Sequence, residues 1–284
     1  MDSIRIIFAG TPDFAVPALK ALIDNPHIDV IAVISQPDKP VGRKKKITAS
    51  PVKVAAEAAG IHVLQPRNIN TEYPQMEHDY LVVVAYGQIL KQPILDAPRI
   101  AALNVHASLL PRWRGASPLQ HTLLQGDHET GVTVQRMVAA LDAGPILSQS
   151  AYSVKPRETI ETLHDTLSDM GAKLLEKTVM DFPEEHKQDE SEVTVCHKLT
   201  RVMGDVDPST MTAIEIDRHV RALVPWPGVR CTVHGEMVKL LETSLEPCTH
   251  SIPLTCKDSI VHIVTLQPPG KQKMSGADFM HGRE

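Results

Sequence analysis

Residues 103–120 read Leu-Asn-Val-His-Ala-Ser-Leu-Leu-Pro-Arg-Trp-Arg-Gly-Ala-Ser-Pro-Leu-Gln. The apolar start predicts a strand, the Pro-Arg-Trp-Arg-Gly segment a tight basic loop, and the last residues the start of a helix. Asn104 and His106 are two positions apart, so an extended strand turns both side chains to the same face. An amide can donate a hydrogen bond to a developing oxyanion, and an imidazole exchanges protons near neutral pH. This pair therefore suits transfer of an acyl-type group to a nucleophile.

Apolar strands alternate with helical segments through the first part of the chain. The apolar runs predict strands at 4–10, 28–34, 61–64 and 80–86. Helical patterns lie between the first three of them, and this alternation predicts an α/β fold with a mostly parallel, Rossmann-like sheet. Ligands bind such sheets at the carboxyl ends of the strands, where Asn104 and His106 are expected to lie.

The composition is that of an ordinary globular protein, with 284 residues, 42% of them hydrophobic, and a net charge of −5. A negative chain is not an electrostatic nucleic-acid binder as a whole, so any RNA contact must come from a local patch. The sequence shows no apolar run of membrane-spanning length, no signal-peptide pattern and no CxxC pair. We therefore expect a cytoplasmic protein with reduced thiols, no membrane contact and no metal site.

The run from Asn104 to Pro118 resembles the signature of the folate-dependent formyltransferases, in the version found in methionyl-tRNA formyltransferases. The segment Gly-Thr-Pro-Asp-Phe-Ala-Val-Pro-Ala-Leu at 10–19 and the ending at 266–282 are similar to the same branch. The resemblance implies a formyltransferase fold followed by a small, OB-like C-terminal β-barrel. It also implies transfer of a formyl group from 10-formyltetrahydrofolate to the amino group of methionine on initiator methionyl-tRNA, by a protein expected to be a monomer.

The resemblance also assigns site residues. Asp142, in the turn Leu-Asp-Ala-Gly-Pro at 141–145, becomes the third catalytic residue beside Asn104 and His106, although an Asp in a turn is usually a local cap. Asn104 would donate to the oxyanion, His106 would carry a proton, and Asp142 would orient the imidazole. Contacts to the folate are expected from Ser108, Leu109, Leu110, Pro111, Tyr86 and Gly87. By residue type alone, Tyr86 suits the core equally well.

Residues 36–51 hold five basic residues against one acid, and their prolines and Gly42 argue against regular structure. They predict a long, flexible loop, which is a solvated linker or a phosphate-contacting arm. The resemblance favours the arm. The residues expected to bind tRNA are Arg43, Lys44, Lys45, Lys46, Arg112 and Arg114. Trp113 is expected either to stack on the acceptor end of the tRNA or to pack at the base of its loop.

We expect a catalytic domain at 1–188, a linker at 189–208 and a tRNA-contacting barrel at 209–284. A loose acidic stretch runs from Pro183 into the first residues of the linker. The barrel has equal numbers of basic and acidic residues.

Three other functions stay open from the sequence. A formyltransferase or deformylase acting on a small-molecule amine would share the central motif, but it would not need a basic loop or a second domain. A serine hydrolase built from Ser108, His106 and Asp142 would lack the Gly-x-Ser-x-Gly elbow. A non-catalytic RNA-binding protein would have no use for Asn104, His106 and Asp142 together.

Overall fold

A computed structural model of the chain describes residues 3–42 and 46–281. It divides into two compact units. The first contains Met1–Gly115, Glu129–Tyr152 and His164–Val195, and the second contains Ala116–His128, Ser153–Leu163 and Cys196–Glu284.

The strands in chain order are β1 (Ile4–Gly10), β2 (Ile28–Ile34), β3 (Lys39–Val41), β4 (Lys46–Thr48), β5 (Val63–Leu64), β6 (Tyr80–Val84), β7 (Ala101–His106), β8 (Arg114–Gly115), β9 (Glu129–Arg136), β10 (Ile146–Ser153), β11 (Val195–Cys196), β12 (Val229–Val233), β13 (Glu236–Ser244), β14 (Ile252–Thr255), β15 (Ile260–Gln267) and β16 (Met274–Ser275). The α-helices are α1 (Val16–Asp24), α2 (Pro51–Ala58), α3 (Ile69–Glu72), α4 (Gln92–Leu95), α5 (Pro118–Gln125), α6 (Ile160–Asp181), α7 (Ala213–Leu223) and α8 (Gly276–His281). Short 3-10 helices cover Asp13–Ala15, Glu190–Glu192 and Arg201–Gly204. None of the helices in 3–42 and 46–281 is long and apolar enough to cross a membrane.

A seven-stranded sheet, in the order β10-β9-β7-β6-β1-β2-β5, forms the centre of the first unit. Strands β5, β2, β1, β6 and β7 run parallel, and β9 pairs antiparallel with β7. The mostly parallel sheet is thus confirmed. Its central strands are buried on both faces, as Ile6, Ile7, Leu81 and Leu103 show with no exposed surface, because helices cover both sides of such sheets.

The described parts of the segment at 36–51, residues 36–42 and 46–51, differ from the irregular loop that the sequence predicts. Strands β3 and β4 pair antiparallel, and Gly42, next to β3, has a φ of 71°. Pro40 pairs opposite Ile47; a two-stranded ribbon tolerates a proline because the missing N–H can fall on its open edge. Arg43, Lys44 and Lys45 lie outside the described residues.

Polar contacts fix the base of this hairpin. Lys53 Nζ lies 2.9 Å from Asp38 Oδ2, and the hydroxyls of Ser35 and Ser50 are 2.6 Å apart. Ser50 also accepts the N–H of Lys53 and so caps α2. These contacts tie both ends of the hairpin to the start of α2.

The second unit contains an antiparallel sheet in the order β12-β13-β15-β14, with β16 paired to β15. Helix α7 begins with a capping box between Thr212 and Glu215. The carboxylate of Asp217 on α7 is fully buried and accepts from Arg157, Arg221 and the Thr243 hydroxyl. A small, strand-rich C-terminal domain, as predicted, is therefore present.

Candidate active site

Asp142 is the side chain on which the polar groups of the first unit converge. Its Oδ1 accepts from Gln135 Nε2 at 3.2 Å and from Asn104 Nδ2 at 3.5 Å, and its Oδ2 accepts the N–H of Gly115 at 2.9 Å. His106 Nδ1 lies 3.7 Å from the same Oδ2. The structure therefore brings together the three residues that the sequence singled out as catalytic.

The environment of His106 determines which ring nitrogen is available. The side chain is 6% exposed, and its Nε2 lies 2.8 Å from the backbone oxygen of Trp113. A carbonyl oxygen only accepts, so Nε2 carries a hydrogen and donates it. Proton exchange therefore falls to Nδ1, the nitrogen that faces Asp142.

Both backbone segments that hold His106 adopt unusual conformations. Trp113 has a φ of 61° and Asp142 a φ of 50°, in the left-handed region that residues other than glycine seldom occupy. Gly144, two residues after Asp142, lies so close to β9 that a Cβ there would stand 1.8 Å from the backbone oxygen of Arg136. The glycine of the Leu-Asp-Ala-Gly-Pro turn is thus required for the turn to pack against the strand.

The turn at 108–111 is built from internal contacts. The Ser108 hydroxyl donates to the backbone oxygen of Arg112 at 2.5 Å, and the Thr133 hydroxyl accepts the N–H of Leu110 at 3.1 Å and donates to the Ser108 oxygen at 2.7 Å. Ser108 and Leu110 are buried, whereas Leu109 and Pro111 are partly exposed. Because the Ser108 hydroxyl is directed at a carbonyl and not at the imidazole, the geometry disfavours a serine hydrolase.

Tyr86 and Gly87 follow β6 beside the strand that carries Asn104. The Tyr86 ring is 2% exposed and packs in the core with Ile7, Leu81 and Leu90, so only its backbone is available to a ligand. Its backbone oxygen already accepts from the Thr11 hydroxyl at 2.9 Å. Burial raises the pKa of the Tyr86 phenol to about 12.

The basic residues proposed to meet tRNA differ in their surroundings. Lys46 is exposed, and Arg112 is exposed with its guanidinium 4.7 Å from the centre of the Trp113 ring. Arg114 does not match its prediction, because it is buried and its guanidinium donates to Gln188 and to both oxygens of Glu190. Trp113 is itself 8% exposed and fills the packing role.

The sequence reasoning missed two glutamines that contact the Asp142 turn. Gln135 is buried on β9 and donates to the carboxylate, and Gln188 is buried and donates to the backbone oxygen of Asp142 at 2.8 Å. Gln135 points to the same face as Thr133 along β9, a period-two pattern that the sequence contains. Gln188 lies within the loose acidic stretch that starts at Pro183, which gives no such signal.

No group of three His, Cys, Asp or Glu side chains within 3–42 and 46–281 is arranged to hold a metal ion.

Two family profiles match the chain. The Formyl transferase family matches residues 4–179, and the family described as "Formyl transferase, C-terminal domain" matches residues 198–284. The methionyl-tRNA formyltransferase of Gluconobacter oxydans (strain 621H) is 42% identical, over 99% of this chain and 97% of its own length. That of Bacillus thuringiensis (strain Al Hakam) is also 42% identical, over 98% of this chain and 96% of its own.

Solved structures share the fold at low identity. WlaRD, a sugar 3N-formyl transferase solved in the presence of dTDP and 5-N-formyl-THF, is 19% identical with a TM-score of 0.69, covering 96% of this chain and all (100%) of that one. An N-formyltransferase from Helicobacter canadensis, in complex with folinic acid and dTDP-3-aminofucose, is 18% identical with a TM-score of 0.68, covering 95% of this chain and 100% of that one. Full-length identity of 42% to enzymes of one activity, on a shared fold, shows that the chain is a transferase that belongs to the formyl transferase family, in its methionyl-tRNA formyltransferase branch.

Proposed function

We propose that this enzyme takes the formyl group of 10-formyltetrahydrofolate and that Asn104, His106 and Asp142 carry out the transfer. The acceptor is the amino group of methionine on initiator methionyl-tRNA, the substrate of translation initiation. The assignment of this acceptor rests on one observation, the identity of 42% to methionyl-tRNA formyltransferases over nearly the whole chain. The 5-N-formyl-THF present with WlaRD and the folinic acid in complex with the Helicobacter canadensis enzyme support a folate donor.

The reaction is an acyl transfer between two nitrogens. The methionine amine attacks the formyl carbon, a C–N bond forms, and the carbonyl oxygen takes up negative charge in a tetrahedral intermediate. The C–N bond to the folate then breaks, the amine loses a proton, and the folate nitrogen gains one. A catalyst must stabilise the oxyanion and move that proton.

Asn104 suits the first task. Its amide lies at the end of β7 and is partly exposed, and its contact with Asp142 is long at 3.5 Å. An N–H held this loosely is available to a developing oxyanion. Loss of such a donor lowers the rate by roughly 10²–10³-fold in acyl-transfer enzymes.

His106 and Asp142 suit the second task. With Nε2 bonded to the Trp113 oxygen, the imidazole receives and releases a proton at Nδ1. The Asp142 carboxylate, whose Oδ2 lies 3.7 Å from that nitrogen, orients the ring for the transfer. General acid–base transfer of this kind contributes typically about 10²–10⁴-fold.

The binding surfaces follow from the same proposal. The folate contacts the backbone of the turn at 108–111 and of Tyr86 and Gly87, since Gly87 faces open space with nothing within 4 Å of a Cβ placed there. The tRNA contacts Arg43, Lys44, Lys45 and Lys46 of the hairpin segment, together with the exposed Arg112. Residues 1–188 carry the chemistry, and 209–284 add a second tRNA contact beyond a linker at 189–208. Because initiator tRNA serves the ribosome, we propose a cytoplasmic location, and a single copy of the chain contains every group used.

An acceptor panel tests the proposal. The enzyme is given 10-formyltetrahydrofolate with initiator methionyl-tRNA, uncharged tRNA, free methionine or no acceptor. We expect formyl transfer only to methionyl-tRNA, and Arg43→Ala is expected to raise the KM for that tRNA with little change in kcat, because a phosphate contact contributes to binding. Transfer to small amines, or release of formate without an acceptor, would replace the proposal by the small-molecule transferase or the deformylase.

A further inference from the structure

We propose that residues 188–194, here called the strap, position the two groups that hold His106, and that Gln188 is the main positioning residue. The inference rests on the proposed role of Asp142. The strap lies between the stretches that match the two family profiles, 4–179 and 198–284. Its contacts nevertheless lead to the centre of the site.

Gln188 is bonded on both sides of its amide. Its Nε2 donates to the backbone oxygens of Asp142 at 2.8 Å and Gly144 at 2.7 Å, and its Oε1 accepts from Arg114 Nε at 2.8 Å. A guanidinium only donates, so Oε1 must face Arg114 and both amide hydrogens must face the two carbonyls. Gln188 is buried although its neighbours Lys187 and Asp189 are exposed, as expected for a side chain held by the fold.

Thr194 makes the corresponding contacts to the Trp113 loop. Its hydroxyl accepts the N–H of Trp113 at 2.9 Å, and its backbone oxygen accepts the N–H of Arg114 at 2.9 Å. The oxygen of Trp113 in turn accepts from His106 Nε2. The strap therefore forms hydrogen bonds to the backbone of both residues that flank the imidazole, which are Asp142 on the Nδ1 side and Trp113 on the Nε2 side.

The backbone conformations of Asp142 and Trp113 require support from neighbouring residues. Asp142 and Trp113 have φ values of 50° and 61°, and such conformations persist only where the surrounding structure fixes them. Arg114 completes the arrangement, because Glu190 on the strap holds its Nη2 at 2.8 Å and its Nε then reaches Gln188. This explains why an arginine of the central motif is buried.

A double-mutant cycle tests the role of Gln188. Gln188→Ala, Asp142→Asn and the double variant are compared for kcat, for KM and for melting temperature. Loss of the Gln188 contacts is expected to lower kcat about 10- to 100-fold, because a shift of the order of an ångström has that effect in well-ordered sites. The KM values for methionyl-tRNA and folate are expected to stay unchanged. If Gln188 acts through Asp142, adding Gln188→Ala to Asp142→Asn changes kcat by less than about twofold.

Two further variants separate hydrogen bonding from packing. Gln188→Glu keeps the shape but has no hydrogens for the two carbonyls, so it is expected to lose as much activity as Gln188→Ala, and it replaces that variant in the cycle should the alanine protein not fold. Glu185→Ala is the matched control, because it removes a neighbouring ion pair to Arg136 Nε, 2.6 Å away, and is expected to keep the wild-type kcat.

The outcomes distinguish this inference from the proposed function. Wild-type kcat in Asp142→Asn would overturn the role of Asp142 itself, and the strap with it. Reduced kcat in Asp142→Asn, together with wild-type kcat in both Gln188 variants, would overturn the strap alone. Losses that multiply in the double variant would show that Gln188 acts independently of Asp142, which also overturns the inference.

Discussion

Replacing Asn104 by alanine separates the chemistry from the stability of the fold. The side chain donates to Asp142 Oδ1 over 3.5 Å, at the upper limit of a hydrogen bond, and Asn104 is partly exposed. An ordinary hydrogen bond contributes about 0.5–1.5 kcal/mol net, and this longer one less. The free energy of unfolding should therefore fall by under about 1 kcal/mol in Asn104→Ala.

The effect on the transition state should be several times larger. The amide is proposed to donate to an oxygen that bears full negative charge only in the intermediate. Removal of one such donor costs about 2.7–4 kcal/mol of transition-state stabilisation, a loss of about 10²–10³-fold in kcat. Because the contact strengthens in the transition state, KM should change little.

Asn25→Ala is the opposite case and serves as control. Asn25 precedes β2, at the amino end of the sheet, where its Nδ2 donates to Glu176 at 2.8 Å and its Oδ1 accepts the N–H of His27 at 2.9 Å. Loss of both bonds should cost about 1–3 kcal/mol of stability and leave kcat unchanged. Urea unfolding and formylation rates measure the two quantities. A kcat for Asn104→Ala within about threefold of wild type would refute the oxyanion role.

The remaining predictions concern three buried groups. Burial lowers the pKa of the His78 imidazole below its usual 6.5. As the pH drops below 6.5, the unfolded chain takes up this proton before the folded protein does, so the free energy of unfolding falls. His78→Gln should therefore reduce the dependence of the melting temperature on pH between pH 7 and 5. The Tyr86 hydroxyl is buried without a hydrogen-bond partner among the described residues, so Tyr86→Phe should stabilise by up to about 1 kcal/mol in urea unfolding at pH 8. The pKa of this phenol is raised to about 12 in the folded protein, whereas the unfolded chain releases the proton near pH 10. Wild type should therefore lose stability as the pH rises from 10 through 12, and Tyr86→Phe should reduce that loss. Asp217→Ala removes the carboxylate that pairs with Arg221 and Arg157. Because Arg157 is half exposed, the free energy of unfolding should fall by about 3 kcal/mol, the low end for breaking a buried ion pair. This loss should appear as a fall of roughly 5–10 °C in melting temperature.

The sequence predicted the centre of the structure well. The alternation of short apolar runs with helical segments is a local pattern, and β1 and β2 begin and end where it placed them. The two-residue spacing of Asn104 and His106 on β7 brings both side chains to Asp142, 36 positions after His106 in the chain. That Asp142 joins them was implied by resemblance, because nothing in the spacing of 104, 106 and 142 indicates proximity.

Features that depend on tertiary contacts were missed. Arg114 reads as a surface charge in a basic loop, and only the folded chain places Gln188 and Glu190 against it. Strand β10 alternates weakly in hydrophobicity and was not predicted, since it lies at the edge of the sheet. The pairing of β3 with β4 was missed because Pro40 and Gly42 are signals of irregular loops that a short isolated ribbon also accepts.

Single-turnover formylation of initiator methionyl-tRNA by wild type and His106→Ala, with formyl-folate bound beforehand, tests whether His106 carries the proton in the chemical step. We expect wild type to transfer the formyl group, and His106→Ala to lower the rate of the chemical step by about 10²–10⁴-fold while still binding the tRNA. A wild-type single-turnover rate in His106→Ala would contradict this role of His106.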